Sequence, residues 1–229
     1  MEEQSLPQCV GFIMDGNRRW AKAHGLTSFD GHSGGYVALK KIITAVHSAR
    51  IPHMVCYAFS TENWKRTEEE VGYLMNLMHQ ALNELGEKMR KDPRKINLRV
   101  IGERERLSES LQAEITNIEL QNHPDPEFTL WVALSYGGRS EIVHAVNRAV
   151  KEGKEVSEES FDSLLWTSGM PDPDLIIRTS GEERLSNFLL WQSAYSELFF
   201  TKTMWPEFGE TEFQGILEDY AKRKRRRGT

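Results

Sequence analysis

The chain has 229 residues, 39% hydrophobic and 28% charged, with 17 Gly and 8 Pro, a balance that excludes collagen-like, low-complexity and disordered chains. The formal charge of −5 conceals an asymmetry: six of the 29 basic residues fall at 222–227, leaving 23 basic against 34 acidic residues elsewhere, a net −11. An acidic body excludes a general nucleic-acid binder and confines any polyanion binding to local sites.

No apolar run approaches the ~20 residues that a membrane-spanning helix needs. Residues 1–7 carry Glu2 and Glu3 without a basic or apolar leader, so a soluble, cytoplasmic protein is expected. Cys9 and Cys56 sit in apolar runs without ligand spacing and are expected as buried thiols, not as a disulfide or a zinc site.

Residues 8–14 form an apolar run of strand length that ends at the turn signal Asp15-Gly16-Asn17. Over 35–49, Leu39, Ile42, Ile43 and Val46 recur on one helical face. Residues 53–59 read as the second strand. Thr67 with Glu70 has the spacing of a capping box, and Val71, Leu74, Met75, Met78, Leu82, Leu85 and Met89 continue the longest helix. A strand at 96–101, a helix at 108–121 and a strand at 128–136 with almost no polar alternation follow. Gly137-Gly138 turns the chain into a helix over 140–151, and a short helix is expected at 157–166. A strand at 175–177, a helix at 186–195 and a strand at 197–200 come next. Thr211 with Gln214 is the expected cap of the last helix. This alternation predicts a single domain over 1–229, an α/β fold with a mostly parallel central sheet surrounded by helices.

In such sheets ligands bind beyond the carboxyl ends of the strands. There the sequence places Asp15-Gly16-Asn17-Arg18-Arg19-Trp20, Ser60-Thr61-Glu62-Asn63-Trp64, Gly137-Gly138-Arg139 and Arg178-Thr179-Ser180-Gly181-Glu182. A carboxylate, a glycine and free amides beside two arginines suit a diphosphate with Mg2+ on Asp15. Arg178 and Arg184 with Ser186 suit a second anion, because guanidinium forks match phosphate oxygens in pairs. Each piece alone has a plain structural reading: a turn, a surface ion pair, a helix cap, a core tryptophan. Their co-occurrence at successive strand ends points to one pocket.

The blocks VGFIMDGNRRW (10–20), Gly31-His32, YAFSTENW (57–64) with Arg66, SYGGR (135–139), LIIRTSG (175–181), RLSNFLLWQ (184–192) and YSELFF (195–200) resemble, in order, those of the cis-prenyltransferases, the undecaprenyl diphosphate synthase family. The resemblance runs from about residue 10 to 228. It implies a six-stranded parallel sheet, a homodimer and a hydrophobic tunnel for a growing chain. It also implies a reaction: condensation of isopentenyl diphosphate onto an allylic diphosphate, with farnesyl diphosphate the expected primer and undecaprenyl diphosphate the expected product. A shorter-chain or dolichol-type synthase and a non-catalytic partner subunit are the alternatives.

By the same resemblance Asp15 is the catalytic aspartate holding magnesium and the allylic diphosphate, and Gly16, Asn17, Arg18 and Arg19 form its diphosphate loop. Trp20 and His32 line that site. Ser60, Thr61, Glu62, Trp64 and Arg66 form a loop joining both substrates, with Asn63 the proton acceptor. Arg178, Arg184, Leu185 and Ser186 form the isopentenyl diphosphate site, and Glu197 is a second magnesium contact. The ending Arg226-Arg227-Gly228 resembles the family's R-x-G end, which reaches an active site across the dimer; the alternative role for the basic run 222–229 is peripheral contact with anionic membrane lipid. Three features depart from the family. Ser28 stands where an arginine usually contacts the allylic diphosphate, a charge that Arg18 is expected to replace. Tyr36 is bulky for its helix. Trp131 with Leu134 adds weight to the strand at 128–136, and these last two departures are expected to narrow the tunnel.

Overall fold

The computed structural model describes residues 6–223, so the ending Arg226-Arg227-Gly228 and the rest of 224–229 lie outside the described residues. Six strands, β1 (Cys9–Ile13), β2 (His53–Ser60), β3 (Ile96–Ile101), β4 (Phe128–Tyr136), β5 (Leu175–Arg178) and β6 (Glu197–Phe200), form one sheet in the order β3-β4-β2-β1-β5-β6. Every pairing is parallel. The chain leaves β1 toward β2 on one side and later returns to β5 on the other. A crevice therefore opens at the carboxyl end of β1, where successive connections diverge.

Among the described residues six α-helices lie between strands, α1 (Asn17–Ala23), α2 (Ser28–Ser48), α3 (Glu68–Lys91), α4 (Glu109–Glu119), α5 (Gly138–Glu152) and α6 (Glu158–Phe161), and α7 (Glu210–Lys222) follows β6. Val10, Phe12, Cys56 and Val132 point to one face of the sheet, where they pack with Ile42 of α2, Leu82 of α3, Ile115 of α4 and Phe213 of α7. The alternate residues Cys9, Ile13, Val55 and Ile176 form a smaller core on the other face with Phe188 and Leu189. All nine residues of β4 are buried, as its unbroken apolar run predicts. No helix among the described residues is long and apolar enough to cross a membrane. Cys9 and Cys56 are buried free thiols, and burial pushes Cys56 up to about 12.

Several elements differ from the sequence expectation. Asp15-Gly16-Asn17 is a turn only at Gly16, since α1 begins at Asn17. α2 starts at Ser28, two turns before the expected onset. Thr27 and Asp30 cap it reciprocally, and Gly31 and Gly35 are needed inside it because a Cβ on either would sit 2.3 and 2.4 Å from atoms of Asn17. The capping box at Thr67 forms by half: Thr67 takes the Glu70 N–H, but the Glu70 carboxylate turns away. Gly209, not Thr211, precedes α7. The short helix expected at 157–166 ends at Phe161 and tightens into a single turn over Asp162–Leu164. The helix expected over 186–195 is a series of turns, with Ser186, Asn187 and Leu189 all at positive φ. Trp131 belongs to the second core, its indole N–H 3.3 Å from His53 Nδ1. It faces away from α2 and α3 and cannot narrow a tunnel between them.

Candidate active site

Asp15 is fixed by its backbone. Its N–H donates to Ile13 O at 2.9 Å and Thr179 Oγ1 at 3.0 Å, while its carbonyl accepts the Thr179 hydroxyl at 2.6 Å and the Trp205 N–H at 3.1 Å. The next residue, Gly16, has φ +108°, and a Cβ there would lie 2.9 Å from Ser180 Cβ and 3.1 Å from Met204 Cβ. Only glycine fits both the dihedral and the space. α1 then opens without a side-chain cap.

Two guanidinium groups meet the Asp15 carboxylate: Arg178 Nη2 at 2.9 Å and Arg19 Nη2 at 3.4 Å from Oδ2. Burial raises the Asp15 carboxyl, but the Arg178 hydrogen bond and charge, followed by Arg19, outweigh it and hold the group below its ordinary value. Arg178 is only 4% exposed. Its Nη1 donates to Ser186 Oγ at 2.6 Å and to the Arg184 carbonyl at 2.5 Å, and its Nε has no partner. Arg19 also reaches Ser180 and Glu182. The Arg184 guanidinium is exposed on Glu182, so it meets Arg178 through its backbone alone. Leu185 is half-buried against the second core.

A second group gathers on Glu70. Its carboxylate takes Arg66 Nη1 at 2.7 Å, Arg18 Nη1 at 3.6 Å and His32 Nε2 at 3.4 Å. Burial raises Glu70, and Arg66 and Arg18 more than offset it; burial lowers His32 and favours its neutral ring. A cleft of 150 Å³ lies among Asp15, Asn17, Arg18, Arg19, His32 and Arg66. Met14, Asn17 and His32 also line an apolar cavity of 80 Å³ between α2, α3 and the sheet. The polar cleft and the apolar space thus adjoin along these three residues.

The loop after β2 is tied down by Asn187. Asn187 donates to Glu62 Oε1 at 3.0 Å and accepts the N–H of Arg139 on its side chain and that of Gly138 on its carbonyl. Thr61 packs on Gly137, where a Cβ would approach its hydroxyl to 2.7 Å. Asn63 Oδ1 accepts the Ser60 N–H at 3.1 Å. Trp64 is folded onto Ser135 Oγ at 2.9 Å beneath Arg106. Ser135, Ser180, Ser186, Asn187 and Leu189, all non-glycine residues at positive φ, surround this region, a concentration of backbone strain typical of functional sites.

Two expected site residues lie elsewhere. Trp20 turns from the cleft to donate to Glu207 Oε1 at 2.9 Å. Glu197 pairs in register with Leu175, and Leu175 with Val10, so it sits at the amino edge of the sheet while Asp15 lies beyond the carboxyl edge. Val10 to Ile13 alone is about 10 Å of strand. The Glu197 carboxylate holds Arg223 at 2.6 Å, and this chain does not bring it to Asp15. Among the described residues no three His, Cys, Asp or Glu side chains cluster as a metal site. Ser28 stands half-buried as the first residue of α2.

Sequence expectation missed Glu70 and Asn187 as site residues. The i,i+4 pairing of Arg66 with Glu70 was the available signal for the first; the second had none, because the turns over 186–195 resembled a helix.

A sequence model of the prenyltransferase family described as undecaprenyl diphosphate synthase matches residues 13–228. The isoprenyl transferase of Fusobacterium nucleatum is 44% identical over 227 residues, covering 99% of this chain and 97% of that protein. The ditrans,polycis-undecaprenyl-diphosphate synthase ((2E,6E)-farnesyl-diphosphate specific) of Legionella pneumophila is 43% identical over 230 residues, covering 97% and 96%. Among solved structures, lavandulyl diphosphate synthase from Lavandula x intermedia in complex with dimethylallyl diphosphate superposes with a TM-score of 0.93 at 34% identity, covering 98% of this chain and 99% of that one.

Proposed function

The chain belongs to the undecaprenyl diphosphate synthase family of prenyltransferases, and on that premise we propose that it condenses isopentenyl diphosphate onto an allylic diphosphate, releasing pyrophosphate and elongating a Z-polyprenyl diphosphate. One observation carries the reading: a cleft bearing Asp15 and the guanidinium groups of Arg18, Arg19 and Arg66 shares Met14, Asn17 and His32 with an apolar cavity. A substrate with a diphosphate head and a hydrocarbon tail is what such a pair of spaces suits. Farnesyl diphosphate is the proposed primer, after a relative's name; undecaprenyl diphosphate is the product in the relatives' names, and an 80 Å³ cavity lined by Tyr36 favours a shorter chain here.

The allylic head belongs in the cleft, because only there can its tail enter the apolar cavity. Arg18, Arg66 and Arg19 exchange Glu70, Asp15 and Glu182 for diphosphate oxygens as it binds. Isopentenyl diphosphate then takes Arg178 and Ser186, with Arg184 swinging from its exposed pairing to join them. The allylic C–O bond breaks, the terminal carbon of the isopentenyl double bond attacks the allylic carbon, and a proton leaves C2 of the isopentenyl unit, next to the resulting cationic carbon, to form the new double bond. Asn63 is the proposed acceptor of that proton, on a loop whose Glu62 is anchored by Asn187; a weakly basic amide suffices because the proton departs from a carbocation. The neighbouring arginines stabilise the charge left on pyrophosphate, an electrostatic effect strengthened where water is excluded.

The donor set suits Mg2+ only together with substrate. Asp15 is ionised but stands between Arg19 and Arg178, which repel a bare cation, and magnesium commonly takes one or two carboxylates plus substrate phosphates. Asp15 together with the substrate diphosphate would hold Mg2+, which would supply Lewis-acid stabilisation of the leaving group. The proposed working form is a homodimer in the cytoplasm, with peripheral membrane contact through the basic run at 222–229. Association would cover Val143, Val146 and Val150, exposed on α5.

Incubation with farnesyl diphosphate, labelled isopentenyl diphosphate and Mg2+ tests the proposal. Solvent-extractable label matched by pyrophosphate release is expected. Absence of both overturns it.

A further inference from the structure

α2 and α3 are joined by two polar bridges with the apolar cavity between them. Near the cleft, Ser33 Oγ lies 2.8 Å from Tyr73 OH, and Tyr73 reaches the Phe29 carbonyl at 3.2 Å. Farther along, the Tyr36 hydroxyl donates to Glu84 Oε2 at 2.7 Å, and Lys40 and Lys88 hold Glu84 Oε1 at 3.2 and 2.7 Å. The Lys40 ammonium also sits 4.5 Å from the centre of the Tyr36 ring.

This second bridge stands on a partition. The Tyr36 ring lines the 80 Å³ cavity that adjoins the cleft. On the other side, Lys40 and Lys88 line a separate space of 520 Å³, whose apolar wall includes Ile43, Met89 and Phe128. Leu85 faces both spaces. The near cavity is small beside the roughly 300–1,000 Å³ of ordinary ligand pockets, so a lengthening hydrocarbon soon meets the Tyr36 ring and, behind it, a carboxylate between two ammonium groups. To pass, it must part α2 from α3 and break a hydrogen bond to a charged group. Lys88, Tyr36 and Lys40 pull the Glu84 carboxyl down to about 2, and burial together with that carboxylate keeps the Tyr36 hydroxyl protonated. Near neutral pH the bridge therefore joins a protonated phenol to an ionised carboxylate.

We propose that the Tyr36–Glu84–Lys40 bridge is the determinant of product length, a closed partition between the near cavity and the far apolar space at which chain growth stops. The proposal rests on the prenyl-elongation reading above. It separates two contributions of Tyr36, the volume of its ring and the hold of its hydroxyl on α3, and assigns the stop to the second.

The experiment compares wild type, Tyr36→Phe, Glu84→Ala and Tyr36→Ala by chromatography of dephosphorylated products made from farnesyl diphosphate and labelled isopentenyl diphosphate. Pyrophosphate release and thermal melting are measured alongside. Tyr36→Phe and Glu84→Ala keep the ring and lose the bridge, so both are expected to shift the product ladder to longer chains. The expected change is roughly tenfold in the ratio of extended to stopped chains, equivalent to about 1.4 kcal/mol. Tyr36→Ala is expected to lengthen at least as far. Wild-type ladders from both Tyr36→Phe and Glu84→Ala, in proteins that melt cooperatively and release pyrophosphate, overturn the proposal and leave the elongation reading standing. Lengthening by Tyr36→Ala alone assigns the stop to ring volume and likewise overturns it. A wild-type protein that makes no extractable product removes the elongation reading, and the length determinant with it.

Discussion

Replacing Asp15 by alanine tests catalysis and packing together. The carboxylate sits at a turn, which suggests from sequence that its loss would spare the fold. Its partner Arg178, however, is 4% exposed and the Asp15 side chain only 31%, so the mutation strands a buried guanidinium. Breaking a fully buried pair costs about 3–5 kcal/mol. Arg178 keeps Ser186 Oγ and the Arg184 carbonyl, and Arg19 keeps Ser180 and Glu182, which brings the expectation to about 2 kcal/mol, the worth of one hydrogen bond between charged groups. At ~2–4 °C per kcal/mol for a chain of this size, Tm should fall by roughly 4–8 °C. Turnover should fall by ~10²–10³-fold, as when one electrostatic contact to a transition state is removed. Calorimetry and a pyrophosphate-release assay read the two effects separately. Asp15→Asn, which keeps an acceptor for Arg178, should recover most of the melting temperature and little of the activity. An Asp15→Ala protein with both Tm and turnover at wild-type values would refute the role of this pair.

Glu70→Gln should free Arg18 and Arg66 for substrate, lowering KM for the allylic diphosphate roughly fivefold, the equivalent of ~1 kcal/mol for a partly exposed pair, and leaving KM for isopentenyl diphosphate alone; equal changes in both would show that the cluster does not discriminate the two sites. Asp15 and Glu70 titrate below their ordinary values in the fold, so as pH falls through ~4 the unfolded chain binds protons first and stability drops. Melting temperature should therefore hold above about pH 5 and decline below 4, with a shallower decline in Asp15→Asn; an identical profile for that variant would remove Asp15 from the acid response. Gly31→Ala should lose ~1–3 kcal/mol, because its Cβ would lie 2.3 Å from the Asn17 carbonyl oxygen. Gly72→Ala, with nothing within 4 Å in α3, should melt at or above wild type, and a matching loss there would mean that α3 responds to any methyl. Ser28→Arg should lower KM for the allylic diphosphate alone by restoring a charge worth ~1.5–3 kcal/mol when hydrogen-bonded; unchanged binding would show that Arg18 already fills the role.

Much of the sheet was legible because parallel strands are buried on both faces and read as short apolar runs. The bounds of β3, β4 and β6 coincide with those expected from sequence. Helix onsets were less legible where tertiary contacts decided them. Gly31, Gly34 and Gly35 weaken the helical pattern of α2, although two of them exist so that Asn17 can lie against that helix. The 186–195 segment has helical spacing of apolar residues, yet Asn187 is committed to Gly138, Arg139 and Glu62 and holds it in turns. In the site, Asp15 and the arginines were legible as strand-end charges. Glu70 was hidden because its spacing from Thr67 looks like a cap, and Glu197 was misgrouped because a motif gives neighbours along the chain without saying which edge of the sheet they occupy.

The clasp of Thr179 on Asp15 joins residues 164 positions apart. At about 5–20 residues per second, a ribosome delivers the second roughly 10–30 s after the first. Once β2 has been made, β1 can have it on one side but keeps an open edge on the other until β5 arrives, and until then the aspartate has neither its threonine nor its buried arginine. The cleft around Asp15 therefore closes only when β5 is available to pair with β1. A chain that ends before β5 lacks both Arg178 and Thr179 and so cannot complete the Asp15 cleft.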